Sequence, residues 1–72
     1  MTFKAYLENI ERKTRKTPAE FRQLARQKGY LIDGKLRPDV KVGEVVAWLK
    51  QDFALGHGHA MAIVALLRGM QP

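Results

Sequence analysis

The sequence predicts an all-α fold, a compact four-helix domain with a C-terminal helical hairpin. Three observations carry this prediction. Apolar residues recur at helical spacing in four segments, helix-starting and helix-stopping residues separate those segments, and a composition of 46% hydrophobic and 28% charged residues is typical of a globular chain. A chain of 72 residues is long enough for one small core, so we expect a single helical domain over residues 1–72.

The first two predicted helices have clear starts. Thr2 can cap the first helix with its hydroxyl group. The apolar face of this helix consists of Phe3, Tyr6, Leu7 and Ile10. The second helix begins at Thr17-Pro18-Ala19-Glu20, a capping box with proline at the first helical position, and stops at Gly29. The buried side of the second helix consists of Phe21, Leu24 and Ala25.

Residues 30–40 are predicted to form a loop. Asp33-Gly34 favours a tight reversal, and Arg37-Pro38-Asp39 disfavours helix before the third helix begins. A short strand pair around Asp33-Gly34 is the alternative, although the sequence offers it no further strand to pair with.

Residues 42–67 predict two helices joined by a glycine elbow. The apolar positions of the first are Val42, Val45, Val46, Leu49 and Phe53. Ala47 and Trp48 broaden this stripe, so we expect the helix to be covered on most sides. The apolar positions of the second are Ala60, Ile63, Val64 and Leu67, flanked by Met61, Ala62 and Leu66. Between the helices, Leu55-Gly56-His57-Gly58-His59 can turn the chain because glycine accepts a positive φ.

The composition disfavours several classes of function. The chain has no cysteine and no serine, and its carboxylates are spread along separate predicted helices, so we expect neither an enzyme nor a cofactor. The longest apolar run, residues 60–67, is far shorter than the ~20 residues of a membrane helix. The N-terminal residues lack the apolar core of an export signal, so we expect a cytoplasmic protein with no membrane partner.

Positive charge is concentrated in the first part of the chain. The net charge is +6, and residues 1–28 hold eight basic and three acidic residues, or +5 of it. This asymmetry is expected of a surface that meets phosphates or an acidic partner, although a charge that keeps a small domain in solution explains it equally well. The candidate phosphate-binding side chains are Arg12, Lys13, Arg15, Lys16, Arg22 and Arg26. They would neutralise the phosphates of DNA or RNA, and partly exposed Tyr30 and Trp48 would add weaker stacking.

Two histidines, His57 and His59, raise the question of a metal site. Imidazole is a common ligand, but two ligands are too few. A third would have to come from Asp52 or Glu44, which nothing in the spacing requires, so we expect no metal. The simpler interpretation is that one histidine caps or packs at the helix start while the other faces water.

The same elbow resembles the helix-hairpin-helix motif of DNA repair and recombination proteins. Gly56, Gly58 and Ala62 match its two glycines and its later small residue. The resemblance implies that backbone N–H groups at a helix N-terminus bind a phosphate oxygen, which makes residues 56–59, Gly56, His57, Gly58 and His59, candidates for nucleic-acid binding. His57 departs from the motif's apolar position, and the basic residue usual after the second glycine is missing. A glycine elbow that only lets two helices pack closely is the alternative.

The whole chain resembles a family of small bacterial domains without an established activity. The similarity lies in three stretches: Lys13-Thr14-Arg15-Lys16-Thr17-Pro18, Gly43-Glu44-Val45-Val46-Ala47-Trp48-Leu49-Lys50 and Leu55-Gly56-His57-Gly58-His59-Ala60. Arg15 departs from the family pattern, which tends to have glycine there. The resemblance implies a bacterial, helical, cytoplasmic domain and supplies no mechanism. The residues themselves favour a non-enzymatic domain that binds nucleic-acid phosphates, with an acidic protein partner or self-association as a homodimer as the alternative.

Overall fold

A computed structural model describes residues 2–71, and it confirms a mostly α-helical fold. Four helices and a two-stranded sheet follow one another along the chain. They are α1 (Phe3–Thr14), α2 (Pro18–Gln27), β1 (Leu31–Ile32), β2 (Lys35–Leu36), α3 (Val42–Phe53) and α4 (His57–Leu67). None of the described helices is long and apolar enough to span a bilayer.

The predicted helix starts are confirmed by their hydrogen bonds. The amide of Ala5 donates to Thr2 Oγ1 at 3.1 Å, which caps α1. At α2 the amide of Glu20 donates to Thr17 Oγ1 at 3.2 Å, and the amide of Thr17 donates to Glu20 Oε1 at 2.9 Å. This pair of bonds forms the capping box. Gly29 follows α2 with φ +80°, a conformation that glycine adopts at no steric cost.

Helix α4 is the centre of the domain. It packs against α1, α2, α3 and β2. Its buried residues are Ala60, Ala62, Ile63, Val64, Leu66 and Leu67. The expectation that α3 is the helix covered on most sides was wrong, because Glu44, Ala47 and Lys50 leave one side of α3 in solvent. The all-round apolar pattern of α4 is the one that requires cover from several neighbours.

Residues 30–40 contain the small hairpin that was the less favoured alternative to a loop. Leu31 pairs with Leu36 and Ile32 with Lys35 in antiparallel register. The turn places Asp33 at φ 52° and Gly34 at φ 78°, a conformation that these two residue types tolerate. As expected, the two strands pair only with each other among the described residues. Packing of β1 against α2 and of β2 against α4 compensates for the missing neighbours.

The elbow between α3 and α4 turns by a different residue from the one expected. Gly56 has φ −72°, and Gly58 is not among the described glycines with positive φ. Ala54 adopts the left-handed conformation, with φ 55°, as the C-cap of α3. Leu55 is then buried in the core. The chain therefore reverses at an alanine, and the expectation that the glycines of residues 55–59 supply a positive φ was wrong.

An aromatic group fills the space between α2, α3 and the hairpin. The ring of Trp48 lies 5.6 Å from that of Tyr30 and 5.9 Å from that of Phe53, centroid to centroid. Phe53 in turn meets Phe21 at 5.1 Å. Trp48 is only 6% exposed, and the ammonium of Lys28 lies 5.5 Å from the centre of its ring. The expectation that Trp48 is partly exposed for base stacking was therefore wrong.

Candidate functional site

The candidate residues include two groups near opposite ends of α4. One group consists of residues 56–59 at the start of α4 and of Lys13 on α1, which bonds the carbonyl of Ala54 in the elbow. The other lies on α2 beside Leu66, one residue before the end of α4. Lys16 of the basic junction lies near the second group, because Gln23 lines both the depression beside Lys16 and the groove beside Arg22.

Lys13 connects the basic junction of α1 and α2 with the elbow. Its Nζ donates a hydrogen bond of 2.8 Å to the backbone carbonyl of Ala54. This carbonyl lies at the C-terminus of α3, where the helix dipole favours a cation. The contact holds a positive charge two residues before Gly56, the N-cap of α4.

The N-terminus of α4 has free donor capacity. Gly56 brings no side chain to cap the helix, and no acidic residue stands in the first turn. The amide of Ala60 is the first to bond back, to Gly56 O at 2.9 Å. The three preceding amides, at residues 57–59, have no side-chain cap, and His57 and Gly58 are exposed residues. Such donors together with the positive end of the helix dipole can accept an anion.

Tyr6 packs against this first turn of α4 on the side of His59. Its ring meets the ring of His59 edge to face, with 5.1 Å between centroids. A Cβ added to Gly58 would lie 3.8 Å from the Tyr6 ring and hydroxyl, an ordinary contact distance. His59 is half-buried against Tyr6, whereas His57 faces solvent. Within residues 2–71 no group of three or more His, Cys, Asp or Glu side chains is placed to hold a metal ion.

The remaining residues of the basic junction differ in their surroundings. Arg12 is exposed and donates a hydrogen bond to Asn9 Oδ1; it borders a shallow depression that Glu8 and Glu11 also line. Arg15 is the C-cap of α1 and has φ 60°, a left-handed conformation. Lys16 is half-buried, beside Glu20 of the capping box. Arg15 is thus an exposed cation of the junction, and Lys13 is the one fixed at the elbow.

Arg22 and Arg26 form the second group, on the side of α2 that faces the end of α4. The groove there has a volume of about 520 Å³. Its lining includes Pro18, Arg22, Gln23, Arg26, Leu66 and Gln71. Arg22 Nε is buried there and has no hydrogen-bond partner among the described residues. Burial of an unpaired donor costs free energy, so a side-chain movement that gives this atom an acceptor would stabilise the chain.

The resolved pKa shifts belong to side chains outside the candidate set. The backbone amide of Thr17 lowers the pKa of Glu20 by bonding its carboxylate. The hydrogen bond from Arg37 lowers the pKa of Asp39, and the two residues form a salt bridge at 3.0 Å. Burial raises the pKa of Tyr30, and the nearby carboxylate of Glu44 raises it further. These shifts mark structural contacts of the capping box, of the Arg37–Asp39 ion pair and of Tyr30.

The candidate residues were predicted from the sequence, but the contacts that surround them were not. The bond between Lys13 and Ala54 joins residues 41 positions apart, and no local pattern signals it. Leu66 and Gln71 were likewise missed as neighbours of Arg22. The uncapped start of α4 could be predicted from the sequence, because Gly56 has no side-chain oxygen to accept a hydrogen bond and residues 57–59 include no carboxylate.

Comparison with known proteins gives a family and no characterised relative. A family model described as a domain of unknown function (DUF4287) matches residues 2–69. No curated protein and no solved structure matches the chain. The match covers all four helices and the hairpin.

Proposed function

Because the chain belongs to the DUF4287 family, a domain of unknown function, we propose its function from the geometry at the elbow. The domain binds the phosphate backbone of DNA or RNA without reading base sequence, and it is not an enzyme. The contact surface consists of the elbow, residues 56–59, and the basic junction Arg12, Lys13, Arg15 and Lys16.

The observation that carries this proposal is the placement of Lys13 beside an uncapped helix start. In the helix-hairpin-helix motif that the elbow resembles, a basic residue follows the second glycine. Here His59 occupies that position, and the cation comes from α1, where Lys13 bonds Ala54 O. A phosphate oxygen at the amides of residues 57–59 would meet both the helix dipole and a nearby ammonium group.

The lack of base readout follows from what the elbow offers. Backbone amides and a lysine contact phosphates, which carry no sequence information. Trp48 is buried and provides no stacking platform, and Tyr6 packs against His59. We therefore assign affinity to charge and to the amides, with a strong dependence on salt.

The absence of cysteine and the bacterial family that the chain resembles support a place for this function in the bacterial cytoplasm. A nucleic-acid partner would be accessible to the protein there.

A second candidate function is protein interaction, either self-association or binding of an acidic protein partner. The exposed apolar side chains favour self-association. Ile32 and Met70 are 53% and 52% exposed. Ile32 pairs with Lys35 across the hairpin, and Lys35 Cε lies 3.5 Å from the position of a Cβ on Gly69. The two exposed apolar side chains therefore belong to neighbouring segments, which favours an apolar contact. A light-scattering mass equal to that of the monomer at all concentrations, for wild type and for Ile32→Ser, would exclude the dimer.

Binding of nucleic acid is tested by fluorescence anisotropy with a labelled duplex and a labelled single strand over a series of salt concentrations. We expect salt-dependent binding of the wild-type chain. The double variant Lys13→Glu/Arg15→Glu should bind at least about tenfold more weakly, and the slope of log K against log salt should fall by about 2.

The matched control is Lys41→Glu/Lys50→Glu, which changes the net charge equally at exposed positions of the α3 region. It should retain most of the affinity, with circular dichroism confirming that both variants are folded. If both double variants lose affinity equally, binding comes from net charge alone. If the wild-type chain does not bind even at low salt, the proposed function is wrong.

A further inference from the structure

The groove between α2 and the C-terminal end of α4 contains two cations that the described residues leave without an acidic partner. Arg22 and Arg26 lie one helical turn apart on α2. The ion pair found among residues 2–71 joins Arg37 and Asp39, in the segment before α3. Helical neighbours of like charge repel each other, so an anion between the two guanidinium groups would relieve this repulsion.

Arg22 shows most directly that a partner is missing. Its Nε is inaccessible to solvent and has no acceptor among the described residues. A guanidinium group binds phosphate or carboxylate oxygens through two parallel hydrogen bonds. Nε is one of the donors of that fork. It is covered by protein atoms and lacks an acceptor, so a turn of the Arg22 side chain that brings Nε to a ligand oxygen in the groove would satisfy it.

The rest of the lining suits a small organic ligand that carries such an anion. Gln23 and Gln71 bring amide groups, and Pro18 and Leu66 bring apolar surface. The volume of about 520 Å³ lies within the range of small-molecule sites. Pro18 and Ala19, in the first turn of α2, also line the groove.

We infer that this groove binds a phosphomonoester, with its dianionic phosphate between Arg22 and Arg26 and its organic part between the glutamines and the apolar residues. The charge of the phosphate matches the two guanidinium groups. This site lies at the end of α4 away from the elbow and does not depend on the proposed nucleic-acid function.

The test is an NMR titration of the ¹⁵N-labelled full chain with AMP, with inorganic phosphate as the anion alone and adenosine as the uncharged counterpart. We expect saturable shifts of the Arg22 Nε–Hε signal and of the Gln23 and Arg26 amides with AMP and phosphate, and none with adenosine. Arg26→Gln, at an exposed position, should weaken AMP binding by at least about tenfold. Arg12→Gln, with the same change of charge, should weaken it less than about twofold.

Several results would overturn the inference. These are the absence of shifts at Arg22, equal shifts with adenosine and AMP, and an equal loss of AMP affinity in Arg26→Gln and Arg12→Gln. Shifts confined to residues 56–59 would place the phosphate at the elbow, which would support the nucleic-acid proposal and exclude the groove. If Arg26→Gln loses AMP while duplex DNA binds unchanged, the two sites are independent.

Discussion

Lys13 on α1 contacts the C-terminal end of α3 by donating a 2.8 Å hydrogen bond to the carbonyl of Ala54. The bond crosses from the first helix to the elbow of the C-terminal hairpin. It therefore connects the basic junction to the helical pair α3–α4, whose elbow contains the candidate phosphate site.

Lys13→Met tests this contact because methionine keeps much of the aliphatic side chain and removes the donor. The exposed hydrogen bond should contribute about 0.5–1 kcal/mol to the free energy of unfolding, which urea denaturation measures. Lys50→Met, at an exposed position of α3, is the matched control and should change stability by less than about 0.5 kcal/mol. Equal stability of Lys13→Met and wild type would show that the bond does not hold the elbow.

Gly56→Ser tests the uncapped start of α4. A serine hydroxyl at the N-cap can accept from one of the amides of residues 57–59, and we expect it to stabilise the fold by a few tenths of a kcal/mol. No atom lies within 4 Å of the position that its Cβ would occupy, so the change should fit. Because the hydroxyl occupies a donor that the proposal assigns to phosphate, nucleic-acid affinity should fall several-fold in anisotropy titrations.

Gly43→Ser makes the same chemical change in the first turn of α3, where a Cβ also meets open space. It should leave nucleic-acid affinity unchanged. Unchanged affinity in Gly56→Ser as well would remove the α4 amides from the proposed interface and leave only the lysine and arginine side chains.

Local sequence signals were sufficient to predict the helices of this domain, and long-range packing explains what they left open. Thr2 and Thr17 marked helix starts because a capping hydroxyl acts within three residues of its own position. The burial of Trp48 depends on Tyr30 and on a hairpin that only tertiary contacts stabilise. The bond of Lys13 to Ala54 and the groove that Arg22 and Leu66 share depend likewise on how α1 and α2 cross α4, which no local pattern specifies.

The reversals after α1 and α3 use residues that are poorly suited to their conformation. Arg15 has φ 60° and Ala54 has φ 55°, where a Cβ is sterically costly. Local signals missed Ala54 because two glycines nearby seemed better placed to turn the chain.

Arg15→Gly and Ala54→Gly should each stabilise the domain by about 0.5–1 kcal/mol, since relief of the Cβ clash outweighs the greater entropy of glycine in the unfolded chain. Thermal denaturation measures the change. Ala47→Gly, at an exposed position inside α3, should instead destabilise by about 1 kcal/mol. Destabilisation by both C-cap substitutions would contradict the left-handed geometry.

Tyr30 makes stability sensitive to alkaline pH. Burial and the carboxylates of Glu44 and Asp52 raise the pKa of its hydroxyl, so the folded chain favours the protonated phenol. The corresponding stabilisation is complete below the pKa of the unfolded chain, about 10 for tyrosine, and is lost as the pH rises through the higher folded value. Tyr30→Phe keeps the ring against Trp48, 5.6 Å between centroids, and removes the ionisable group. Urea denaturation from neutral pH to above pH 10 should show a steeper alkaline loss of stability in wild type than in Tyr30→Phe. Parallel pH profiles of the two proteins would show that the Tyr30 hydroxyl is not held in its protonated form by the fold.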